Sequence, residues 1–513
     1  MSVTVPGVLS RWFLLVGIPS AVACVTIDDP EHCANRDGDA TCRMLNYDRA
    51  VCSLCRRTFS GCQDEPVEAA CRFTPASETS SSTSSSTSSD DSGSTNTGVP
   101  MECDGAGASA MCPDDRPYCM SGECAGCESA GGDGFCASLG VETPQCSPAW
   151  GRCVECVDDA SPVCVAAESV CTTSFTCGGC TRQAQCPLSA CNVFTGECMA
   201  SAVQVWVSSG DASCNDSNAG TDGAPVCTVA EALERVDTGG SGVIHLANGN
   251  YDDWDLAACS ERTIVVRGES QTLTILANST AAGANVGCNN TAIFANVRIR
   301  GNTTSALDCT GGKLALESVF VDEGDPVGIA ADDCDLVIDR SRVLGASTSA
   351  VRAVGASSLQ LRASLLTIDL TSDTAAASVQ LTNTSFDIRF STIVGGAPAG
   401  GALTCVDSTG TVHSAILASP LATESIDCPA LDVTFDHCVV DDSRVLGEDN
   451  LMTAYDPAWF LDSPADLRLG PGASELGAVG RWDLGDPAFD YDGDPWPLPP
   501  ASPSYPGGDQ GPE

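Results

Sequence analysis

Five residues stand where this sequence could cleave a polysaccharide. Asp332, Asp333 and Asp335 put three carboxylates on one short turn, and glycoside cleavage needs a carboxylate pair, one to protonate the leaving oxygen and one to activate water. Arg362 and Arg389 recur one repeat apart, as cations would if they held the acid group of a uronate beside a base. Each set also has a plainer reading. A run of aspartates between two strands is a common turn, and Arg362 and Arg389, with Asp339 and Asp436 in the corresponding places, read as an outward column of opposite charges. His413 and His437 put two imidazoles on neighbouring repeats. They read as surface neighbours, with Asp436 the nearest carboxylate.

The elements that must position these residues declare themselves by a period. A serine returns at Ser318, Ser341, Ser364, Ser391 and Ser414, with Cys438 one step later, in steps of 23, 23, 27, 23 and 24 residues. Periods of this length mark solenoids. Alternating apolar pairs precede the marker, among them Leu336 and Ile338, Leu359 and Leu361, and Phe386 and Ile388. Alternation of that kind is strand periodicity. One coil cannot bury its inward residues alone, but stacked coils pair every backbone amide at roughly 4.8 Å and align inward side chains in ladders. The expected fold is all-β: a C-terminal right-handed parallel β-helix of about eight coils, with the five serines stacked at equivalent positions.

A family resemblance joins this reading at both ends of the repeats. Val205-Trp206-Val207, the polar loop Asn215-Asp216-Ser217-Asn218-Ala219-Gly220-Thr221, the helix-like Val229-Ala230-Glu231-Ala232-Leu233 and then Gly242-Val243-Ile244-His245-Leu246 resemble the opening of pectate-lyase-like parallel β-helices. Asp466-Leu467-Arg468-Leu469, Asp490-Tyr491-Asp492-Gly493-Asp494-Pro495 and Gly507-Gly508-Asp509-Gln510 resemble the closing segment of that group. The resemblance implies a capped β-helix over residues 203 to 513 and leaves activity open, because the superfamily holds lyases, hydrolases and adhesins. Asp332-Asp333-Cys334 also resembles the paired-aspartate motif of polygalacturonases. The rest of that set, Asn-Thr-Asp, Gly-His-Gly and Arg-Ile-Lys, is missing. Asp490, Asp492 and Asp494 resemble half of a calcium loop, but prolines stand where the closing glutamate should be. A cap turn is the preferred reading there, with calcium the alternative; no other cofactor is expected.

Charge and cysteines set the environment. The chain of 513 residues carries 68 acidic and 24 basic residues, a net charge of −44, and Lys313 is its one lysine. Nucleic acid is excluded as a partner, since the phosphate-neutralising charge is missing. Thirty-two cysteines point to an oxidising compartment. An apolar run behind Arg11 and the small residues Ala21-Val22-Ala23 before Cys24 read as a signal peptide over residues 1–23. The junction resembles a bacterial lipobox, in which Cys24 would be acylated; an ordinary signal peptidase site is the alternative. Residues 24–73 form a small cysteine-rich segment, and 74–100 a Ser/Thr-rich disordered tether.

Residues 101–200 hold sixteen cysteines in four groups of four: Cys103, Cys112, Cys119, Cys124; Cys127, Cys136, Cys146, Cys153; Cys156, Cys164, Cys171, Cys177; and Cys180, Cys186, Cys191, Cys198. Each junction is a Cys-x-x-Cys. The reading is two disulfides per group with the pairing open among three choices; a tetrathiolate zinc site is the alternative. Within residues 201–513, Cys214 and Cys227 flank the cap loop, staples between coils are expected at Cys309–Cys334 and Cys405–Cys428, and Cys438 reads as a buried free thiol. The chain is thus expected to be an extracellular or cell-surface protein, touching the membrane only through a lipid on Cys24. Its β-helix is expected to bind a glycan or a surface protein, with a polysaccharide lyase or glycoside hydrolase as the alternative. Trp206, Trp254 and Trp459 are the candidates for stacking on sugar.

Overall fold

The computed structural model describes residues 51–52, 62–63, 107–108 and 112 and most of 117–511. Cys24, the segment 74–100, Cys103, Cys259, Cys288 and Trp254 lie outside the described residues. The chain divides into two compact units, Met1–Thr87 and Ser88–Glu513. In the first, Val51–Cys52 pairs antiparallel with Cys62–Gln63. Among the described residues no helix is long and apolar enough to cross a membrane.

The second unit opens with the cysteine groups, each built around a short hairpin. Third and fourth cysteines face each other across it: Cys119 and Cys124, Cys146 and Cys153, Cys171 and Cys177, Cys191 and Cys198. Facing residues share one side of a hairpin, so both bridges leave that side and clamp the segment before it. The pairing is first to third and second to fourth: Cys127–Cys146 with Cys136–Cys153, Cys156–Cys171 with Cys164–Cys177, and Cys180–Cys191 with Cys186–Cys198. In the first group Cys112 is bridged to Cys124. Sulfurs of three groups gather within 4.8 Å, as a zinc site would require, yet each of those sulfurs is in a disulfide.

Residues from Val203 onward wind into a parallel β-helix of three sheets, two of ten strands and one of seven. The seven-stranded sheet limits the complete three-sided turns to seven. Along the first sheet, Ile244, Val266, Phe294, Leu316, Ile338, Leu361, Ile388 and Val412 are register partners on successive coils, all of them buried. The amphipathic helix Val229–Asp237 closes the first coil with Val229, Ala232 and Val236. Cys214–Cys227 ties down the loop before it, and Cys309–Cys334 and Cys405–Cys428 staple neighbouring coils with Cα atoms 6.0 and 4.6 Å apart.

The serine column differs from its expected form. Asn296, Ser318, Arg340, Ala363, Phe390, Ser414 and His437 occupy one corner with φ between 44° and 54°. Left-handed backbone is costly for residues with a Cβ. Here the corner N–H groups from Asn296 to Ser414 donate to the next coil, for instance Ser318 to the Asp339 carbonyl at 3.1 Å and Arg340 to that of Arg362 at 3.0 Å. The inward ladder lies one residue later: Ser341, Ser364, Ser391, Ala415 and Cys438. Each serine hydroxyl donates to the carbonyl two residues back, and those of Ser364 and Ser391 accept the N–H of Ser341 and Ser364 at 3.0 and 3.3 Å. Ser318 and Ser414 therefore stand at the corner, not in the ladder. The coil from the Ser318 corner to Arg340 is one residue shorter, and that from Phe390 to Ser414 one residue longer, than the serine step of 23, and counting by period absorbs that slip. A second polar ladder runs through Ser357, Thr384 and Ser408: the Ser357 and Ser408 hydroxyls accept the N–H of Cys334 and Thr384 from the coil before, and the Thr384 hydroxyl donates to the Ala353 carbonyl.

Two segments pack on the outside of the coils. The central outward column of the first sheet reads Val243, Val265, Ile293, Ala315, Val337 and then turns polar at Gln360, Asp387, Thr411 and Thr434. The fourth cysteine group covers its apolar half with Val193, Phe194 and Met199. On the second sheet the outward column is Leu365, Thr392, Ile416 and Val439. Trp459, Phe460, Leu467, Leu469 and Leu476 of the C-terminal segment cover it. The closing segment is thus a clasp along the side of the solenoid. At Gly508 the fit is close: a Cβ there would lie 2.8 Å from Leu365.

Candidate functional site

The corner that follows the first sheet gathers the charged residues. Its neighbouring outward column runs His245, Arg267, Ala295, Glu317, Asp339, Arg362, Arg389, His413 and Asp436. Arg362 and Arg389 are register partners, but they do not converge on an open site. Arg362 donates to Gln360 at 2.8 Å. Arg389 holds the Asp387 carboxylate through Nε and reaches Asp486 of the clasp at 2.9 Å.

The three aspartates are separated by the backbone that carries them. Asp332 is an exposed strand end. Asp333 is a left-handed corner residue with φ 49°, and its carboxylate accepts the Ala356 N–H at 2.8 Å. Asp335 begins the next strand, where it meets Lys313 at 3.6 Å and accepts from the Ser358 hydroxyl at 2.6 Å. Of the tryptophans, Trp206 stacks on His245 at 4.4 Å, and Trp459 is buried on the inner side of the clasp with its Nε1 on Glu475.

A tighter constellation forms where the clasp crosses the last coils. His413 and Asp436 are register partners on adjacent coils, and His437 follows at the corner with φ 54°. Successive strand residues point to opposite faces; the left-handed corner breaks that alternation and turns His437 onto the side of Asp436. Asp436 thus sits between two imidazoles, 3.1 Å from His413 Nδ1 and 2.8 Å from His437 Nδ1. On its far side His413 Nε2 faces the Arg481 carbonyl at 2.8 Å and the buried Asp486 carboxylate at 3.4 Å. Burial works against a charge on His413, but Asp486, Arg481 and Asp436 outweigh it and hold its pKa above the ordinary histidine value. Asp436 was visible from the spacing, whereas Asp486 lies 73 residues after His413 and no local pattern announces it.

A second cluster joins three segments. Arg340 pairs with Glu317 at 2.6 Å and Asp339 at 3.4 Å, all three largely withdrawn from water. Gln183 N–H of the fourth cysteine group donates to Glu317 at 2.7 Å. Beside it Arg182 lies over the Phe489 ring of the clasp at 4.6 Å. Burial is the largest influence on both charges: it pushes the Glu317 carboxyl up and opposes the Arg340 charge, which Glu317 and Asp339 nonetheless hold above its usual value. Cys438 is the free cysteine among the described residues, and burial pushes its thiol up to about 12.

Asp490, Asp492 and Asp494 sit on a turn of the clasp. Both carboxylate oxygens of Asp490 accept backbone N–H groups, from Asp494 at 2.8 Å and Gln510 at 3.2 Å; Asp492 turns to Arg468 at 3.5 Å. Burial raises Asp490 to about 8 and Asp509 to about 7. A folded-state pKa above the unfolded 3.8 means the folded form holds the proton more tightly. Stability from these groups is complete below about pH 4 and is lost as pH rises to about 8. Asp490→Asn should flatten that slope. Denaturant midpoints measured from pH 5 to 8.5 for parent and variant should therefore converge at acid pH and separate at alkaline pH; parallel curves would refute the assignment.

A family profile described as a family of unknown function (DUF8331) matches residues 86–203, which include the cysteine groups. No curated protein matches the chain. Among solved structures, the chain is similar to pectate lyase Pel9A at 13% identity and a TM-score of 0.34, covering 59% of this chain and 89% of that one. Pectin methylesterase PemA from Erwinia chrysanthemi matches at 11% identity and 0.26, over 55% and 98% of the two chains. A rhamnogalacturonan lyase matches at 8% and 0.26, over 59% and 96%. Likeness at this level concerns fold and is not carried to activity.

Proposed function

We propose that this is an exported surface protein whose β-helix is a rigid binding scaffold and not a polysaccharide-cleaving enzyme. One observation carries the reading: four of the five candidates are turned to partners of their own, Asp333 on Ala356, Asp335 on Lys313, Arg362 on Gln360 and Arg389 on Asp387 and Asp486, and Asp332 stands at an exposed strand end apart from them. Cleavage needs an acid and a base aimed at a shared open point. The surface left beside the fourth cysteine group is polar, with Gln360, Asp387, Thr411 and Thr434 in line at the coil spacing. A flat row of amide, carboxylate and hydroxyl groups suits a glycan or a polar protein surface. Bridges in this number suit an extracellular setting, and acylation at Cys24 would tether the scaffold to a membrane.

The test is a glycan array and a turnover screen with the full mature chain, including polygalacturonate with and without calcium. Binding without cleavage, weakened by Thr411→Ala or Gln360→Ala, is expected. Cleavage that disappears in Asp333→Asn or Arg362→Ala while the fold survives would replace this reading with an enzyme.

A further inference from the structure

We propose that His413, Asp436 and His437 form a binding site for a borderline divalent transition metal, zinc foremost. One ligand atom from each lies within 4.8 Å of the others, and two imidazoles with one carboxylate are a donor set that zinc takes readily.

The supports of the site argue for a cation between these groups. His413 Nε2 faces the Arg481 carbonyl at 2.8 Å, and a carbonyl can only accept, so this nitrogen carries the proton. In the neutral ring Nδ1 then presents its lone pair to the Asp436 carboxylate, 3.1 Å away. Two electron-rich atoms at that separation repel unless a positive charge lies between them, either a proton or a metal. The arrangement behind His413 is the one that orients metal-bound histidines: a carbonyl, with the Asp486 carboxylate at 3.4 Å, behind the outer ring nitrogen. Arg389 holds Asp486 in place at 2.9 Å.

Geometry and access agree. Bonds of about 2.0–2.2 Å in tetrahedral array place neighbouring donors roughly 3.3 Å apart. His413 Nδ1 meets Asp436 Oδ2 at 3.1 Å and His437 Nδ1 meets Oδ1 at 2.8 Å, so one ion would be shared by a carboxylate that binds through both oxygens or turns one of them between the rings, the three donors closing in from within 4.8 Å of one another. The Asp436 side chain is 47% exposed, and those of His413 and His437 are 14% and 16% exposed. Asp436 therefore leaves an entry path and room for water as a fourth ligand. A net charge of −44 raises the local concentration of any cation.

The site is tested by calorimetric titration of the full mature chain with Zn²⁺ under non-reducing conditions, in parallel with His437→Asn and Asp436→Asn. Asparagine tolerates the left-handed corner at position 437, so the fold should persist, as circular dichroism would show. One zinc per parent chain is expected, with affinity at least ten-fold weaker in either variant and a thermal midpoint that zinc raises only in the parent. Co²⁺ in place of Zn²⁺ should show the visible absorption of a tetrahedral nitrogen and oxygen site, lost in both variants. Absence of stoichiometric binding, or binding and cobalt spectra unchanged in His437→Asn, would overturn the proposal and leave His413 as a protonated bridge between two carboxylates.

Discussion

Reduction of the disulfides without denaturant is expected to unfold the cysteine groups of residues 112–198 while the parallel coils persist. The described bridges there close loops of 11 to 19 residues, and a loop of about 15 residues is worth roughly 3 kcal/mol. The cores they hold are little more than the cysteines themselves, such as Cys156, Cys164 and Cys171 in the third group. Apart from the apolar contact of the fourth group with the coils, nothing of comparable size opposes the chain entropy. The coils, by contrast, keep a continuous apolar interior from Val205 to Val445. Hydrogen exchange should show full exposure of 112–198 amides on reduction with strand protection retained beyond Thr263. The double variant Cys180→Ser with Cys191→Ser localises the effect. It should free the fourth group from Val243, Val265 and Ile293 and expose that apolar column to a hydrophobic dye. Retained protection in 112–198 after complete reduction would show that the groups fold without their bridges.

Arg340→Ala should cost about 3–5 kcal/mol, because it leaves Glu317 withdrawn from water without its partner. The loss is also expected to be nonlocal. Glu317 is the acceptor for Gln183 in the fourth cysteine group, and Arg182 beside it rests on Phe489 of the clasp. Both segments should become protease-sensitive together. Replacing the pair at once, Glu317→Leu with Arg340→Met, removes both charges and should recover most of the stability, as a double-mutant cycle would report. If the single variant unfolds within about 0.5 kcal/mol of the parent, the pair behaves as an exposed one and the three segments are held by apolar contact alone.

Much of the architecture was open to reading because it is periodic. A solenoid repeats its pattern every coil, so alternation at Leu336 and Ile338 or Leu359 and Leu361 marks the inward face. The four groups of cysteines likewise show themselves by count and spacing. Other signals in the sequence are less direct. Val243-Ile244, Val265-Val266 and Ile293-Phe294 are adjacent apolar pairs, and a strand apolar on both faces must be covered on both. They announce the docked fourth group. Ser357, Thr384 and Ser408 keep the spacing of the first ladder, seven residues before Ser364, Ser391 and Ala415.

By itself the sequence determined a disulfide-rich chain with a parallel β-helix in its C-terminal part, since alternation, repeat length and cysteine density are local quantities that survive without coordinates. Tertiary structure alone decided the pairing within the cysteine groups, because the hairpin sets the third and fourth cysteines side by side and the packing of the preceding segment decides which of them the first and the second meet. It also decided which serines form the ladder, since a one-residue difference in coil length moves Ser318 and Ser414 to the corner. The meeting of Asp486 with His413, and of Arg182 with Phe489, is likewise a product of how the clasp lies against the coils. Contacts across such separations depend on packing between whole faces, and a period carries no information about which distant segment will cover a face.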